Sequence, residues 1–426
     1  MIQNIWLHLY NIFVIPLLYF VLNVGKFFNK KINTGIQGRK RLFEELIINI
    51  SGLDKEKKLV WFHSSSLGEF EQAKPIIEKL KESRNVNILV TFFSPSGFEN
   101  SKKYPYADIV SYIPLDTPKN AQLFVQITKP DLAVIMRYDI WPNHMYQLFK
   151  MEIPVMLVDA TMRNDSPRKN FIARSFHTSL YSKMTKILTV SENDAKNFKV
   201  FGITPFQIDA VGDTRFDRVY QRSLIAKEKN LIRPEILKDK KILVAGSTWF
   251  EDEEVLIPAI ISALKYHPEL FVIIAPHEPT IHHLEKLEND FNGKEKTIRF
   301  SYLNNYNNER VVLVDSIGIL LTLYCYADIT FVGGSFKSNI HNSLEAAVYG
   351  VPVMFGSKIQ NSQEAFQLAK TGGGIIIKNK KETYRTIKLL LSNESLRKEK
   401  GNSAGKYVIN NIGATDKILE EVFKYV

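Results

Sequence analysis

From Lys58 onward the chain repeats one pattern: a short apolar run rich in Val, Ile and Phe, a polar loop, and a longer stretch of helical character. The runs "KLVWFH" (58–63), "VNILVTFF" (86–93), "LAVIM" (132–136), "PVMLVDA" (154–160) and "KILTVS" (186–191) each lead into such a stretch. Continuous apolar runs belong to strands covered on both faces, and their alternation with helices specifies a parallel, doubly wound sheet. A second series begins at "KKILVAGS" (240–247) and continues through "ELFVIIAPH" (269–277), "VVLVDS" (311–316), "DITFVGGS" (328–335), "VPVMFG" (351–356) and "GGIII" (373–377). Between the series lies the charged stretch "RSLIAKEKNLIRPEILKDK" (222–240), with the make-up of a linker and a surface helix. A chain of 426 residues is too long for one ordinary core and suits two domains of roughly 150 to 200 residues each. The expected fold class is therefore α/β, with two Rossmann-like domains facing a cleft behind an apolar N-terminal helix. The expected divisions are 1–30 for that helix, 31–218 for the first domain, and 219–426 for the second with its terminal helices. In such sheets ligands lie beyond the carboxyl ends of the strands, so the loops after these runs are where chemistry is sought.

The segment "IWLHLYNIFVIPLLYFVLNVG" (Ile5–Gly25) holds 21 residues without one Lys, Arg, Asp or Glu. As a helix it is about 30 Å long, the thickness of a bilayer core. A secretory signal would open on basic residues and close on a small-residue cleavage site, whereas this chain opens "MIQN" and carries no such site. Asn11, Pro16 and Asn23 dilute the segment and leave both a spanning and an interfacial helix open. Lys26, Lys30, Lys31, Arg39, Lys40 and Arg41 follow it, which by the positive-inside rule places the rest of the chain in the cytoplasm. The 56 Lys and Arg against 45 Asp and Glu give a net charge of +11, favouring anionic partners without choosing among nucleic acid, acidic lipid and phosphorylated substrates. A single cysteine, Cys325, excludes an intrachain disulfide.

Several strand-to-helix turns carry residues able to do chemistry. In "WFHSSSLGEFEQ" (61–72), Glu69 stands beside Gly68 in an open serine-rich turn. A carboxylate there can take a proton from an incoming hydroxyl, a role generally worth about 10²–10⁴ in rate. Ser66 three residues earlier also makes the capping-box spacing, so a purely structural role stands beside the catalytic one. In "DITFVGGSFKSNIHNSLEAAVYG" (328–350), Gly333 and Gly334 allow close backbone approach, and a helix opening near Asn342 favours an anion. The G-x-G-x-x-G spacing of dinucleotide sites is absent, and Asn342 with Glu345 also fits a capping box. Asp315 to Gly318 form a similar turn, again a cap or a nucleotide contact, and His277 lies just past a strand end. His63, His144, His277 and His341 lack ligand-like spacing, and H-E-x-x-H, cysteine pairs and D-x-D do not occur, so a metal-independent reaction is expected.

Ten short motifs in one order resemble a known family. They are "GRKRL" (38–42), "HSSSLGE" (63–69), "TFFSPSG" (91–97), "YIPLD" (112–116), "WPN" (141–143), "VGDTRFD" (211–217), "AGST" (245–248), "DSIG" (315–318), "FVGGS" (331–335) and "HNSLEAA" (341–347). Nearly end to end the chain is similar to the 3-deoxy-D-manno-octulosonic acid (Kdo) transferases of the lipid A pathway. That resemblance implies a GT-B fold, with the acceptor on the N-terminal half and CMP-Kdo on the C-terminal half. It implies that Glu69 is the general base, deprotonating a glucosamine 6-hydroxyl of the lipid A precursor for inverting attack on Kdo. Arg215 would stabilise the departing phosphate. CMP contacts are implied at Pro276 and His277, at Ile317, Gly318 and Ile319, and at Asn342, Ser343, Leu344 and Glu345. The implied partners are CMP-Kdo, the lipid A precursor and anionic inner-membrane lipids at the cytoplasmic face, with no nucleic acid and no cofactor or metal in the transfer.

The chain departs from the family pattern in places. Where most members read E-T-E-L-W-P-N it has "RYDIWPN", so Arg137 replaces a glutamate and Asp139 shortens the second. A compensating catalytic role for Arg137, holding the Kdo carboxylate or the phosphate, is the expectation. "PHEP" puts His277 where an arginine is usual, and "HNSLE" has a serine for the usual proline without the preceding glycine pair. Two alternatives follow: another GT-B enzyme such as a nucleotide-sugar epimerase or a transferase with a different donor, and a membrane scaffold without turnover.

Overall fold

The computed structural model describes residues 2–426. The chain forms two compact units, one running to Arg218 and taking in Ile412–Val426, the other Val219–Asn411. Each is built on its own parallel seven-stranded sheet.

The N-terminal segment is helical, Ile2–Leu9 and Ile15–Gly25 joined by a π-turn at Tyr10–Val14. Pro16 explains the widened turn, because its ring removes an N–H and crowds the carbonyl one turn back. Helices Lys30–Gln37 and Leu42–Ser51 follow, the first capped by Asn29, whose side chain accepts from the Lys31 N–H. Arg39 ties this region to the sheet: its guanidinium donates to the carbonyls of Gly35, Phe93 and Ile113 and lies over the Phe93 and Tyr112 rings.

In the first unit the strands are β1 (Leu59–Ser64), β2 (Asn87–Phe92), β3 (Ile109–Tyr112), β4 (Leu132–Met136), β5 (Val155–Ala160), β6 (Lys186–Thr189) and β7 (Ile208–Ala210). Their order is β3-β2-β1-β4-β5-β6-β7, so strand order reverses between β1 and β4, where His63 pairs in register with Ile135. Loops leaving the carboxyl ends of two such strands diverge to opposite faces of the sheet and leave a crevice. The turn holding Glu69 leaves β1, and Arg137–Asp139 leave β4, so both flank that crevice.

The second unit carries β8 (Lys241–Thr248), β9 (Leu270–Pro276), β10 (Thr297–Arg299), β11 (Val311–Leu313), β12 (Ile329–Val332), β13 (Val353–Phe355) and β14 (Gly374–Ile376) in the order β10-β11-β9-β8-β12-β13-β14. Its reversal lies between β8 and β12. There the Gly333 N–H bonds the Gly246 carbonyl, and a Cβ at Gly333 would sit 2.2 Å from the Ser247 carbonyl oxygen, so only glycine fits.

One boundary differs from the sequence reading, which runs the second domain to residue 426. The last helix, Ala414–Val422, returns to the first unit and buries Ile418, Leu419 and Val422 beside Val211 and the β1–β2 core. Asp217 fixes its start, accepting the Gly413 N–H at 2.6 Å and the Thr415 N–H at 2.8 Å.

Candidate active site

At the crevice of the first unit, β1 ends in the buried Ser64 and the chain turns through Ser65 and Ser66 into the helix Leu67–Ser83. Ser66 has the extended backbone of an N-cap, but its side chain makes no capping bond. Glu69 is buried and its Oε2 accepts the Ser65 N–H at 2.7 Å, while Oε1 accepts no hydrogen bond among the described residues. The capping box allowed by the spacing is thus absent, and one carboxylate oxygen is held while the other is left unengaged. Burial raises the Glu69 carboxyl above its usual range; Asp139 adds to the rise, and the Ser65 N–H, His63 and Arg137 oppose it. A buried carboxylate with a raised affinity for protons is suited to general-base work.

His63 and Asp139 form a second layer. Trp61 Nε1 donates to Thr91 Oγ1 at 2.8 Å, and the same hydroxyl hydrogen-bonds His63 Nδ1, also at 2.8 Å. On the other side of the ring, His63 Nε2 donates to Asp139 Oδ2 at 2.8 Å. Burial pushes the Asp139 carboxyl up, but hydrogen bonds from His63, Trp141 and Ser65 outweigh it and hold it below the usual range. Asp139 is therefore a fixed negative charge near Glu69.

Arg137, just past β4, and Asp159, the last residue but one of β5, both take left-handed backbone conformations, φ 60° and 51°. Such strain in non-glycine residues persists where surrounding bonds over-determine it. Here the Arg137 N–H bonds the Val158 carbonyl at 2.7 Å, and its Nη1 donates to Gln72 Oε1 at 3.1 Å. Asp159 is wholly buried; burial and the nearby Asp213 push its carboxyl well above the usual range, while Thr214 hydrogen bonds and Arg137 oppose that. Thr214 Oγ1 bridges Asp159 and the Gln72 carbonyl. Asp213 grips the Arg215 guanidinium, with Nε–Oδ2 at 2.9 Å and Nη2–Oδ2 at 2.5 Å. Arg137 is thus tied through Gln72 and Thr214 to Asp159, while Glu69 and the Asp213–Arg215 pair meet this network electrostatically, Glu69 through Arg137 and Asp213 through Asp159. Of these linkers, the sequence reading names none in a role, although Asp213 and Thr214 stand inside "VGDTRFD".

Other motif residues prove structural. Asp116 is buried and accepts the N–H groups of Asn143 and His144 at 3.0 Å each, capping the helix Pro142–Lys150, with His144 Nδ1 donating to it at 2.6 Å.

In the second unit, Pro276 ends β9 and His277 is exposed beyond it, its N–H bonding the Thr248 carbonyl at 2.9 Å. The His277 ring stacks on His341 with centroids 4.2 Å apart and lies 4.7 Å from Trp249. Trp249 Nε1 donates to His341 Nε2 at 2.8 Å, and burial, His277 and Lys337 together push His341 down to about 4. His341 is therefore a neutral acceptor at physiological pH. Lys337 Nζ sits 3.4 Å from the Trp249 ring centroid, a cation held at the rim of this aromatic stack.

The Ile317–Ile319 turn follows β11 at the same sheet end, with Ile317 84% exposed and Gly318 at φ 86° with open space where a Cβ would stand. Asp315 before it is engaged by the Ser301 N–H and hydroxyl, so it caps no helix. The expected helix at Asn342 starts later, at Leu344–Ala347, and is one turn long. Asn342 Oδ1 accepts the Leu344 N–H at 3.2 Å, Ser343 Oγ is buried without a partner, and Glu345 pairs with Arg222 at 3.4 Å, so no capping box forms. The structure brings His277 and the 341–345 loop together through the ring stack.

A family model described as 3-Deoxy-D-manno-octulosonic-acid transferase (kdotransferase) matches residues 40–218, the stretch containing Glu69, Arg137 and Arg215. The 3-deoxy-D-manno-octulosonic acid transferase of Aquifex aeolicus is 30% identical over 79% of this chain and 87% of its own. The chain belongs to the Kdo transferase family. The transferase of the same description from Haemophilus influenzae is 27% identical over 86% of this chain and 87% of its own. Among solved structures, UDP-GlcNAc 2-epimerase from Neisseria meningitidis superimposes with a TM-score of 0.61 at 14% identity, over 86% of this chain and 100% of its own. The corresponding epimerase from Methanocaldococcus jannaschii gives 0.53 at 17% identity, over 84% and 100%. These likenesses bear out the α/β fold of GT-B type, and membership of the Kdo transferase family makes the protein a glycosyltransferase.

Proposed function

We propose that this Kdo transferase moves Kdo from CMP-Kdo to the lipid A precursor, lipid IVA, in lipopolysaccharide biosynthesis. Glu69 carries the reading, because it is a buried carboxylate with a raised proton affinity and one oxygen engaged only by a backbone N–H. In the proposed step Glu69 accepts the proton of a glucosamine 6-hydroxyl. The hydroxyl oxygen forms a bond to the anomeric carbon of Kdo as the bond from that carbon to the CMP phosphate oxygen breaks, and configuration inverts. CMP leaves with the electron pair, and Arg215 neutralises its phosphate. Arg137 holds an acidic group of the donor, a role that its place at the crevice beside Gln72 supports. On the second unit, Pro276, His277, Ile317, Gly318, Ile319 and Asn342–Glu345 hold CMP, with the Trp249–His277–His341 stack offering a flat aromatic face to the base. Proton transfer and charge neutralisation both come from side chains, and the proposal includes no resident metal.

The work is placed at the cytoplasmic face of a bacterial inner membrane, which the apolar helix Ile5–Gly25 and the basic residues after it support. The test is to incubate the purified full chain with CMP-Kdo and lipid IVA and weigh the product. A lipid heavier by whole Kdo units is expected. An unchanged lipid, alongside transfer from UDP-sugars or none at all, contradicts the reading.

A further inference from the structure

One helix among the described residues, Ile5–Gly25, is long and apolar enough to cross a bilayer, yet its first half is fastened to the first unit. Trp6 Nε1 donates to Ser175 Oγ at 2.9 Å, and its ring meets Phe176 edge-on. Tyr10 stacks on Phe176, Asn11 and Asn143 exchange amide hydrogen bonds at 3.1 and 2.8 Å, and Ile15 is buried. Asn143 is in turn held by the buried Asp116, so the helix is tied into the polar interior of the domain. Only residues 16–25 of the helix remain free of these ties, and they reach about 15 Å, short of the roughly 30 Å hydrocarbon core.

The faces left bare lie side by side. Ile12, Phe13, Leu17, Phe20 and Val21 are exposed along the helix, and Phe27 and Phe28 follow it. Beside its first turns, the start of the helix Phe171–Tyr181 presents Phe171, 89% exposed, and Ile172. Between Trp6, Tyr10 and Phe13 on one wall and Phe171, Ile172 and Phe176 on the other runs an apolar groove of about 920 Å³. Basic residues adjoin both parts in the chain: the half-buried Lys26 and the exposed Lys30 and Lys31 after the helix, and the exposed Arg174 after Phe171, with the half-buried Arg168 and Lys169 before it bonded to Tyr181 and Asn197. An apolar slab rimmed by basic residues matches the acyl–headgroup boundary of an anionic bilayer.

We propose that the protein is monotopic: the N-terminal helix lies in one leaflet without crossing it, and Phe171 and Ile172 insert beside it as a second contact, a lipid acyl chain filling the groove. This rests on the membrane association given above and is independent of the sugar chemistry, since the experiment uses neither donor nor acceptor. The full chain is floated with vesicles of phosphatidylethanolamine and phosphatidylglycerol. Changing Phe171→Asp together with Ile172→Asp weakens binding by about tenfold or more, with thermal unfolding unchanged because both side chains are exposed. Unchanged flotation overturns the second contact. In a Cys325→Ser background, a cysteine added ahead of Met1 is challenged on bound vesicles with an impermeant maleimide. Full labelling from outside is expected, whereas protection until detergent is added shows a crossing helix and overturns the monotopic arrangement.

Discussion

Among single residues, the neighbours of Glu69 set its charge and so its fitness as a base. Burial is the largest push against its ionised form, Asp139 adds to it, and Arg137 opposes it. The sign follows directly: a base must be unprotonated, so activity rises as pH passes upward through the Glu69 pKa. Arg137→Ala removes a cation that lowers that pKa, so the acid limb of the kcat/KM profile moves to higher pH; a limb that stays put or moves down counts against the electrostatic link. The same variant loses turnover if Arg137 holds the donor, and wild-type rates would dispose of that role. Glu69 itself was legible, since a carboxylate in a serine–glycine turn after a strand is open to chemistry as well as to capping. The layer behind it was not. His63 and Asp139 are 76 residues apart and touch only because β1 and β4 are neighbours across the sheet reversal. Gln72, Asp159 and Thr214 likewise join through long-range hydrogen bonds that no local spacing announces.

Among elements, the long apolar runs identified their own strands because continuous burial leaves a strong compositional trace. Short edge strands such as Ile208–Ala210 and Thr297–Arg299 leave little, as three residues at a sheet margin need few apolar side chains. The return of the final helix to the first unit was equally hidden, because it depends on Asp217, nearly two hundred residues upstream, meeting the helix start. That contact is testable. Asp217→Asn keeps the size but loses a charged acceptor of two backbone N–H groups, and a loss of about 1–2 kcal/mol in unfolding free energy is expected by denaturant titration. A change below a few tenths would mean that burial of Ile418, Leu419 and Val422 alone holds the helix. The turn after β11 shows the opposite case, an expectation left to chemistry: Asp315 is engaged by Ser301, so any nucleotide contact falls to the exposed Ile317 and the backbone around Gly318.

For the whole molecule, the two units divide the labour: the proposed base and Arg137 and Arg215 on the first, the proposed nucleotide residues on the second. Ligand that binds the folded state raises stability by mass action, about 2.7 kcal/mol at a hundredfold excess over Kd. CMP is therefore expected to raise the Tm of wild type and of Glu69→Gln alike, and UDP to do so less; equal shifts with both nucleotides would point to a different donor. His277→Ala should cut the CMP shift, as it removes the exposed ring of the stack. In the proposed reaction one carboxylate at the first sheet's reversal, Glu69, takes the acceptor proton. Its most direct test is the initial rate of Kdo transfer to lipid IVA by Glu69→Gln beside wild type, at saturating CMP-Kdo and with the CMP-induced Tm shift as a check on folding. A fall in kcat of about 10²–10⁴ with that shift intact is the result predicted, and transfer at the wild-type rate would contradict it.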